Sequence, residues 1–174
     1  MLKLILNKKY NPLFESDARY FIITGGRGSG KSFAVTVFLT LLTMSKNIRV
    51  LFTRFTMVSA HLSIIPEFLE KISLLGFDNI FSVNKAEVVN LGNKSDILFR
   101  GIKTSAGNQT ASLKSLQGIS TWVLDEAEEL IDEDIFDTID LSIREKDVQN
   151  RIILILDRKS TRLNSSHLVI SYAV

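Results

Sequence analysis

The sequence contains no cysteine, which excludes disulfides, thiolate metal sites and a cysteine nucleophile. Histidine is nearly as scarce: His61 and His167 are the only two, too few for a histidine-built metal cluster. Long hydrophobic runs are missing as well. The longest apolar stretch, Phe33 to Met44, is interrupted by Thr40 and Thr43 and is too short to span a bilayer. The opening MLKLILNKKY has too brief an apolar segment for a signal peptide. A cytosolic setting is expected, with no membrane partner. What remains is a chain of 174 residues, 45% hydrophobic and 23% charged, which is enough for one domain with a real core.

Periodicity supplies the elements. RYFIIT (Arg19 to Thr24) and IRVLFTR (Ile48 to Arg54) read as buried strands. Between them KSFAVTVFLTLLTMSK is apolar almost all round, as a helix enclosed in an α/β protein would be. Val58, Leu62, Ile65, Leu69 and Ile72 then recur at helical spacing, with Pro66 expected to kink that helix or open its second half. Around 79–102 the pattern shortens to alternating runs joined by GNKSD, which predicts an antiparallel insertion. STWVLDEAEEL predicts a buried strand ending in acids. Ile135, Phe136, Ile139 and Ile143 mark an amphipathic helix, with Asp132, Glu133 and Asp134 at its favourable N-terminal end. RIILIL (Arg151 to Leu156) is a further apolar strand, and an exposed edge is expected beside it. Strands alternating with helices predict a mainly parallel sheet with helices on both faces.

GGRGSGKS fits the phosphate-loop pattern G-x-x-x-x-G-K-[ST] at Gly25, Gly30, Lys31 and Ser32, between a strand and a helix. Gly25, Gly26, Arg27, Gly28, Ser29 and Gly30 would turn backbone N–H groups towards phosphate oxygens. The helix that follows contributes roughly +0.5 charge at its N-terminus. Lys31 is expected on the β- and γ-phosphates, and the Ser32 hydroxyl on Mg²⁺.

Such a site needs acids at the end of a neighbouring strand, and TWVLDE supplies them. Asp125 would hold Mg²⁺, directly or through water. Glu126 would polarise the attacking water as a general base. The acids that follow, Glu128 to Asp134, read as solvated. NKSD (Asn93 to Asp96) matches a guanine-reading motif, yet it precedes the acidic strand and the acids carry no following glycine. It reads as a turn, and ATP is the expected nucleotide. Arg27, inside the loop, and Arg54, ending the second strand, are the candidates for transition-state charge.

The order of RYFIITGGRGSGKS, RVLFTRFTMVS, ILFRGI, LKSLQGISTWVLDEAEEL and RIILIL resembles the ATPase domain of phage terminase large subunits. The resemblance implies a P-loop NTPase of the RecA/ASCE-like class and an ATP- and Mg²⁺-dependent motor acting on double-stranded DNA. It implies partners too: a small terminase subunit, a portal and further copies in a homo-oligomeric ring, in the cytoplasm of a bacterial host. On this likeness Lys31 and Ser32 bind ATP-Mg²⁺, Arg27 is the loop arginine, Asp125 the metal acid and Glu126 the catalytic glutamate. Arg54 becomes a candidate for action across a subunit boundary, and adenine contacts are expected in the region of Tyr10 to Leu13. A RecA-like helicase domain and a nucleotide-binding fragment without turnover are the alternative readings.

In the family a polar coupling motif and a nuclease domain follow the last strand. Here DRKSTRLNSSHLVISYAV follows, which resembles the in-frame translation of a common sequencing adapter. Residues 1–156 are therefore expected to form the motor domain, truncated at its C-terminal end, and 157–174 a non-native tail. Setting the tail aside removes three bases and one acid from totals of 21 and 19, leaving 18 of each. The formal charge of +2 is then the tail's, and DNA binding rests on the resemblance rather than on charge.

Overall fold

The computed structural model describes residues 5–45, 48–104, 107–108, 116–130, 132–157 and 169–173, with the side chains of 56–63, 103–104, 107–108 and 169–173 left aside. Its elements are, in order, α1 (Pro12–Glu15), β1 (Tyr20–Gly25), α2 (Lys31–Leu42), β2 (Arg49–Thr56) and α3 (Met57–Leu74). Then come β3 (Phe81–Val83), β4 (Glu87–Asn90), β5 (Asp96–Thr104), β6 (Gly107–Asn108), β7 (Thr121–Asp125), α4 (Glu133–Asp140), β8 (Arg151–Asp157) and β9 (Val169–Ala173).

Nine strands among the described residues form one sheet in the order β3-β4-β5-β2-β7-β8-β1-β9, with β6 pairing β5. The five strands from β5 to β1 run parallel. Strands of this kind are covered on both faces and read as continuous apolar runs; β7 is buried at all five positions. One face packs under α2 and α3, where Phe52, Phe68 and Phe99 meet with ring centroids 5.3–6.0 Å apart. The other face packs Leu51, Trp122, Leu124 and Ile152 against Ile135 and Ile139 of α4. Helices thus flank both faces, as expected, and the antiparallel insertion is β3-β4-β5.

Several expectations need correction. The chain remains helical through Pro66, in a single α3. The stripe that α3 buries is Ile64, Ile65, Phe68 and Ile72, while Leu69 is 49% exposed; the wide aromatic Phe68 takes the centre, turning its neighbour to solvent. Val58 and Leu62 lie outside the described side chains. Ile143 is buried but follows the end of α4. The strand β8 is interior, between β7 and β1, and β9 covers the free edge of β1. The NKSD segment is a turn whose Asn93 amide donates to the carbonyls of Thr43, Met44 and Ser45. It closes the C-terminal end of α2, an engagement that leaves it unavailable to a guanine base.

The Trp122 indole is fully buried and its Nε1 donates to Thr53 Oγ1 at 2.8 Å; that hydroxyl in turn donates to the Val123 carbonyl at 3.0 Å. Thr53→Val keeps the shape but orphans the indole donor, which should cost about 1–3 kcal/mol. Urea unfolding of the two chains measures this; equal midpoints would show that the bond contributes nothing.

Candidate functional site

Parallel strands place their carboxyl ends along one rim of the sheet, where α/β proteins bind ligands. The phosphate loop leaves β1 at that rim, and Asp125 ends β7 on it. β8 lies between them, pairing with both. The acids and the phosphate loop therefore sit on the same rim with the end of β8 between them.

Gly28 and Gly30 adopt positive φ of 76° and 83°, which only glycine accepts without strain. A Cβ on Gly26 or Gly28 would meet nothing within 4 Å, so there is free space beside the loop at both positions. Ser29 Oγ is buried with no hydrogen-bond partner, a donor left over for an anion. Lys31 is buried at the start of α2, its Nζ donating to the carbonyls of Gly25 at 2.7 Å and Gly26 at 3.1 Å. It also pairs with the Asp157 carboxylate at 2.7 Å. Arg27 is exposed and lines the same groove of about 320 Å³ with Gly28 to Phe33, Glu67 and Asp157. A glycine-rich loop, a helix N-terminus and a buried ammonium fit a polyphosphate.

The parallel register sets Thr53 level with Leu124, so the next residues, Arg54 and Asp125, lie side by side. Arg54 Nε donates to Asp125 Oδ2 at 2.8 Å, and its Nη2 meets Glu126 Oε1 at 2.9 Å. The guanidinium therefore bridges both acids of its own chain, 14% exposed. Burial pushes the Asp125 carboxyl above its ordinary range, with Arg54 the main influence pulling it back. Burial raises Glu126 as well, again opposed by Arg54. Glu126 sits at φ 56°, ψ 48°, a left-handed conformation uncommon for a side-chain-bearing residue. That turn swings its carboxylate out of the strand line towards the rim.

Ser32 and Asp125 line one small cavity with Thr36 and Glu67, of about 10 Å³, roughly the room for a single water or ion. Hard oxygen donors of this type suit Mg²⁺, which keeps most of its waters and takes one or two protein ligands beside phosphate oxygens. The residues present fit that ion.

Sequence reasoning named the loop, Asp125, Glu126, Arg27 and Arg54, and the fold brings all of them to one rim. It missed Glu67, because nothing local marks one acid on α3 as facing the loop. It set Asp157 aside with the tail, although the carboxylate lies on Lys31. In the region of Tyr10 to Leu13, Tyr10 and Leu13 are buried while Asn11 is exposed and Pro12 half-buried. The Tyr10 hydroxyl donates to the Ser29 carbonyl at 2.9 Å. It braces the loop from behind. Tyr10→Phe should cost about 0.5–1.5 kcal/mol in stability and weaken nucleotide binding slightly; thermal melting and a binding titration would show no change in either if the brace is idle. Lys114 and Ser115, ahead of the acidic strand, lie outside the described residues.

Comparison with known proteins agrees with this fold. A sequence model of the phage terminase large subunit matches residues 17–162. Among curated proteins, no sequence matches the chain. The fold is similar to that of a large terminase from a thermophilic bacteriophage, with TM-score 0.66 and 10% identity over 88% of this chain and 39% of that one. This chain thus spans about two fifths of that terminase's length. The same thermophilic-phage terminase has been solved with ADP and with ATP-gamma-S. The HK97 bacteriophage large terminase superposes with TM-score 0.66 and 12% identity, covering 90% of this chain and 34% of that one. The ATPase domain of the Thermus phage P74-26 large terminase gives TM-score 0.64 and 18% identity over 91% of this chain and 67% of that domain.

Proposed function

The chain belongs to the phage terminase large-subunit family, and from that premise we propose that residues 1–156 are an ATP-hydrolysing motor domain that drives double-stranded DNA into a capsid. The observation that carries the reading is the convergence of the phosphate loop and the Asp125–Glu126 pair on one rim, one strand apart. The complexes of a related terminase with ADP and ATP-gamma-S support adenine nucleotide as the ligand.

In this reading the loop amides and Lys31 hold the β- and γ-phosphates, and Ser32 and Asp125 hold Mg²⁺. When bound, the ion neutralises charge on the phosphate oxygens. Glu126 takes a proton from the water that adds to the γ-phosphorus, while the bond to the bridging oxygen breaks and ADP leaves with that electron pair. Arg27, at the open face of the groove, steadies the charge of the transferring group. Arg54 orients both acids from within the chain. An arginine contributed by a neighbouring copy belongs to a ring on a portal, fed by a small subunit that selects the DNA, in the host cytoplasm. Nuclease activity is assigned to a further domain of the full-length protein.

Phosphate release by the purified chain, with Lys31→Ala as the blank, tests the enzyme. Turnover per chain should rise with protein concentration as copies assemble. Equal release from both chains, or none at any concentration, would sink the motor reading.

The proposed limit at residue 156 has its own consequence. Removing 157–174 frees Lys31 from Asp157 and uncovers β1 along its pairing with β9. Nucleotide affinity should be kept or raised, while the open edge promotes aggregation. Loss of nucleotide binding in a still-folded 1–156 chain would place the limit elsewhere.

A further inference from the structure

Glu67 stands where two cavities meet. It lines the phosphate groove beside Arg27, Lys31 and Ser32, and it also lines the small cavity between Ser32, Thr36 and Asp125. Ser32, assigned above to the ion, is the other residue that borders both. Glu67 is carried by α3 and Asp125 by β7, so two carboxylates from two elements border one cavity.

The Glu67 carboxylate is half-buried, and the influences on it are burial and through-space charge, with no hydrogen bond among them. The strongest charge acting on it through space is Lys71, whose Nζ is itself paired with Glu70 at 2.7 Å and lies over the Phe33 ring at 4.7 Å. Arg54 is engaged by Asp125 and Glu126. Among the described residues no cation forms a direct ion pair with Glu67, so its burial is offset only through space by Lys71 and Arg54, and a cation delivered with the ligand would offset it further. Its placement on a helix that packs against α2 and β2 makes the position firm rather than incidental.

We propose that Glu67 is a further positioning residue of the ion site, holding the waters of the bound Mg²⁺ from α3 alongside Asp125 and Ser32. The inference rests on the nucleotide reading above. It separates two effects of opposite sign. Without the ion, the Glu67 charge repels the phosphates that share its groove. With the ion, the same charge holds the metal–nucleotide complex in place.

The test is a titration of the full chain with a fluorescent ADP, in EDTA and then in Mg²⁺, comparing wild type with Glu67→Gln, Glu67→Asp and Asp125→Asn. In EDTA, Glu67→Gln should bind as tightly as wild type or more tightly. In Mg²⁺ its gain in affinity should fall by about 10–100-fold, the usual cost of losing an outer-shell partner. Glu67→Asp, which keeps the carboxylate, should recover part of that gain. An unchanged gain in Glu67→Gln alongside a lost gain in Asp125→Asn would overturn the role of Glu67 and leave the nucleotide site standing. Nucleotide binding with no Mg²⁺ gain in wild type would overturn the ion site and the role of Glu67 with it, whereas no nucleotide binding in either buffer would overturn the nucleotide reading itself. Matching melting temperatures of wild type and Glu67→Gln confirm that folding is not the variable.

Discussion

Glu126→Gln is expected to lower ATP turnover by about 10²–10⁴-fold, the usual contribution of a general base, while nucleotide affinity stays near that of wild type. The amide keeps the size of the carboxylate and an oxygen able to accept from Arg54 Nη2, so the bridge across the acids survives. What it loses is the capacity to take a proton. Burial raises Glu126 above the ordinary carboxylate range, which makes it a better base than a solvated acid, and the left-handed backbone turn puts it at the rim rather than in the strand. Single-turnover phosphate release together with a binding titration separates the two parameters. Near-normal release by Glu126→Gln would remove it from the chemistry, and a joint collapse of binding would assign it a structural part.

Arg54→Ala should be the most destabilising change at the site. Asp125 is 7% exposed, and removing one partner of a buried pair typically costs about 3–5 kcal/mol because the other charge is stranded. The loss should depend on pH in a defined direction. The folded carboxyl of Asp125 already lies above its ordinary value of 3.8, and Arg54 is the chief influence holding it down. Without Arg54 it rises further. A carboxyl raised on folding favours the folded state fully below its unfolded value, and that stability is lost as pH rises through the folded value. The deficit of Arg54→Ala against wild type should therefore be smallest in acid and full above the new Asp125 value. Urea unfolding across a pH series reads this directly. A deficit independent of pH would mean that Asp125 is not the stranded charge. An arginine used only across a subunit boundary would leave the stability of the single chain untouched.

The fold was legible where local chemistry and tertiary role coincide. A continuous apolar run such as Arg151 to Leu156 can only be a covered strand, and GGRGSGKS can only turn where a strand meets a helix. The pairing of Arg54 with Asp125 was not legible, because 71 residues separate them and only the adjacency of β2 and β7 brings them level. Glu67 was hidden for the same reason: its meaning comes from what α3 crosses, not from its neighbours in the chain. The α3 stripe was misjudged by one position because hydrophobic spacing fits Leu69 as well as Phe68, and ring packing with Phe52 and Phe99 decides between them. The part Tyr10 plays was likewise hidden, because its hydroxyl meets the Ser29 carbonyl 19 residues along the chain.

The central claim is that the loop around Lys31 is a nucleotide site, and binding of a fluorescent ATP analogue in Mg²⁺ by wild type and Lys31→Ala tests it most directly. The account predicts saturable binding by wild type and a loss of about 1.5–3 kcal/mol in the variant, the worth of a hydrogen bond to a charged group. Equal binding by the two chains, or no binding by a folded wild type, would contradict it.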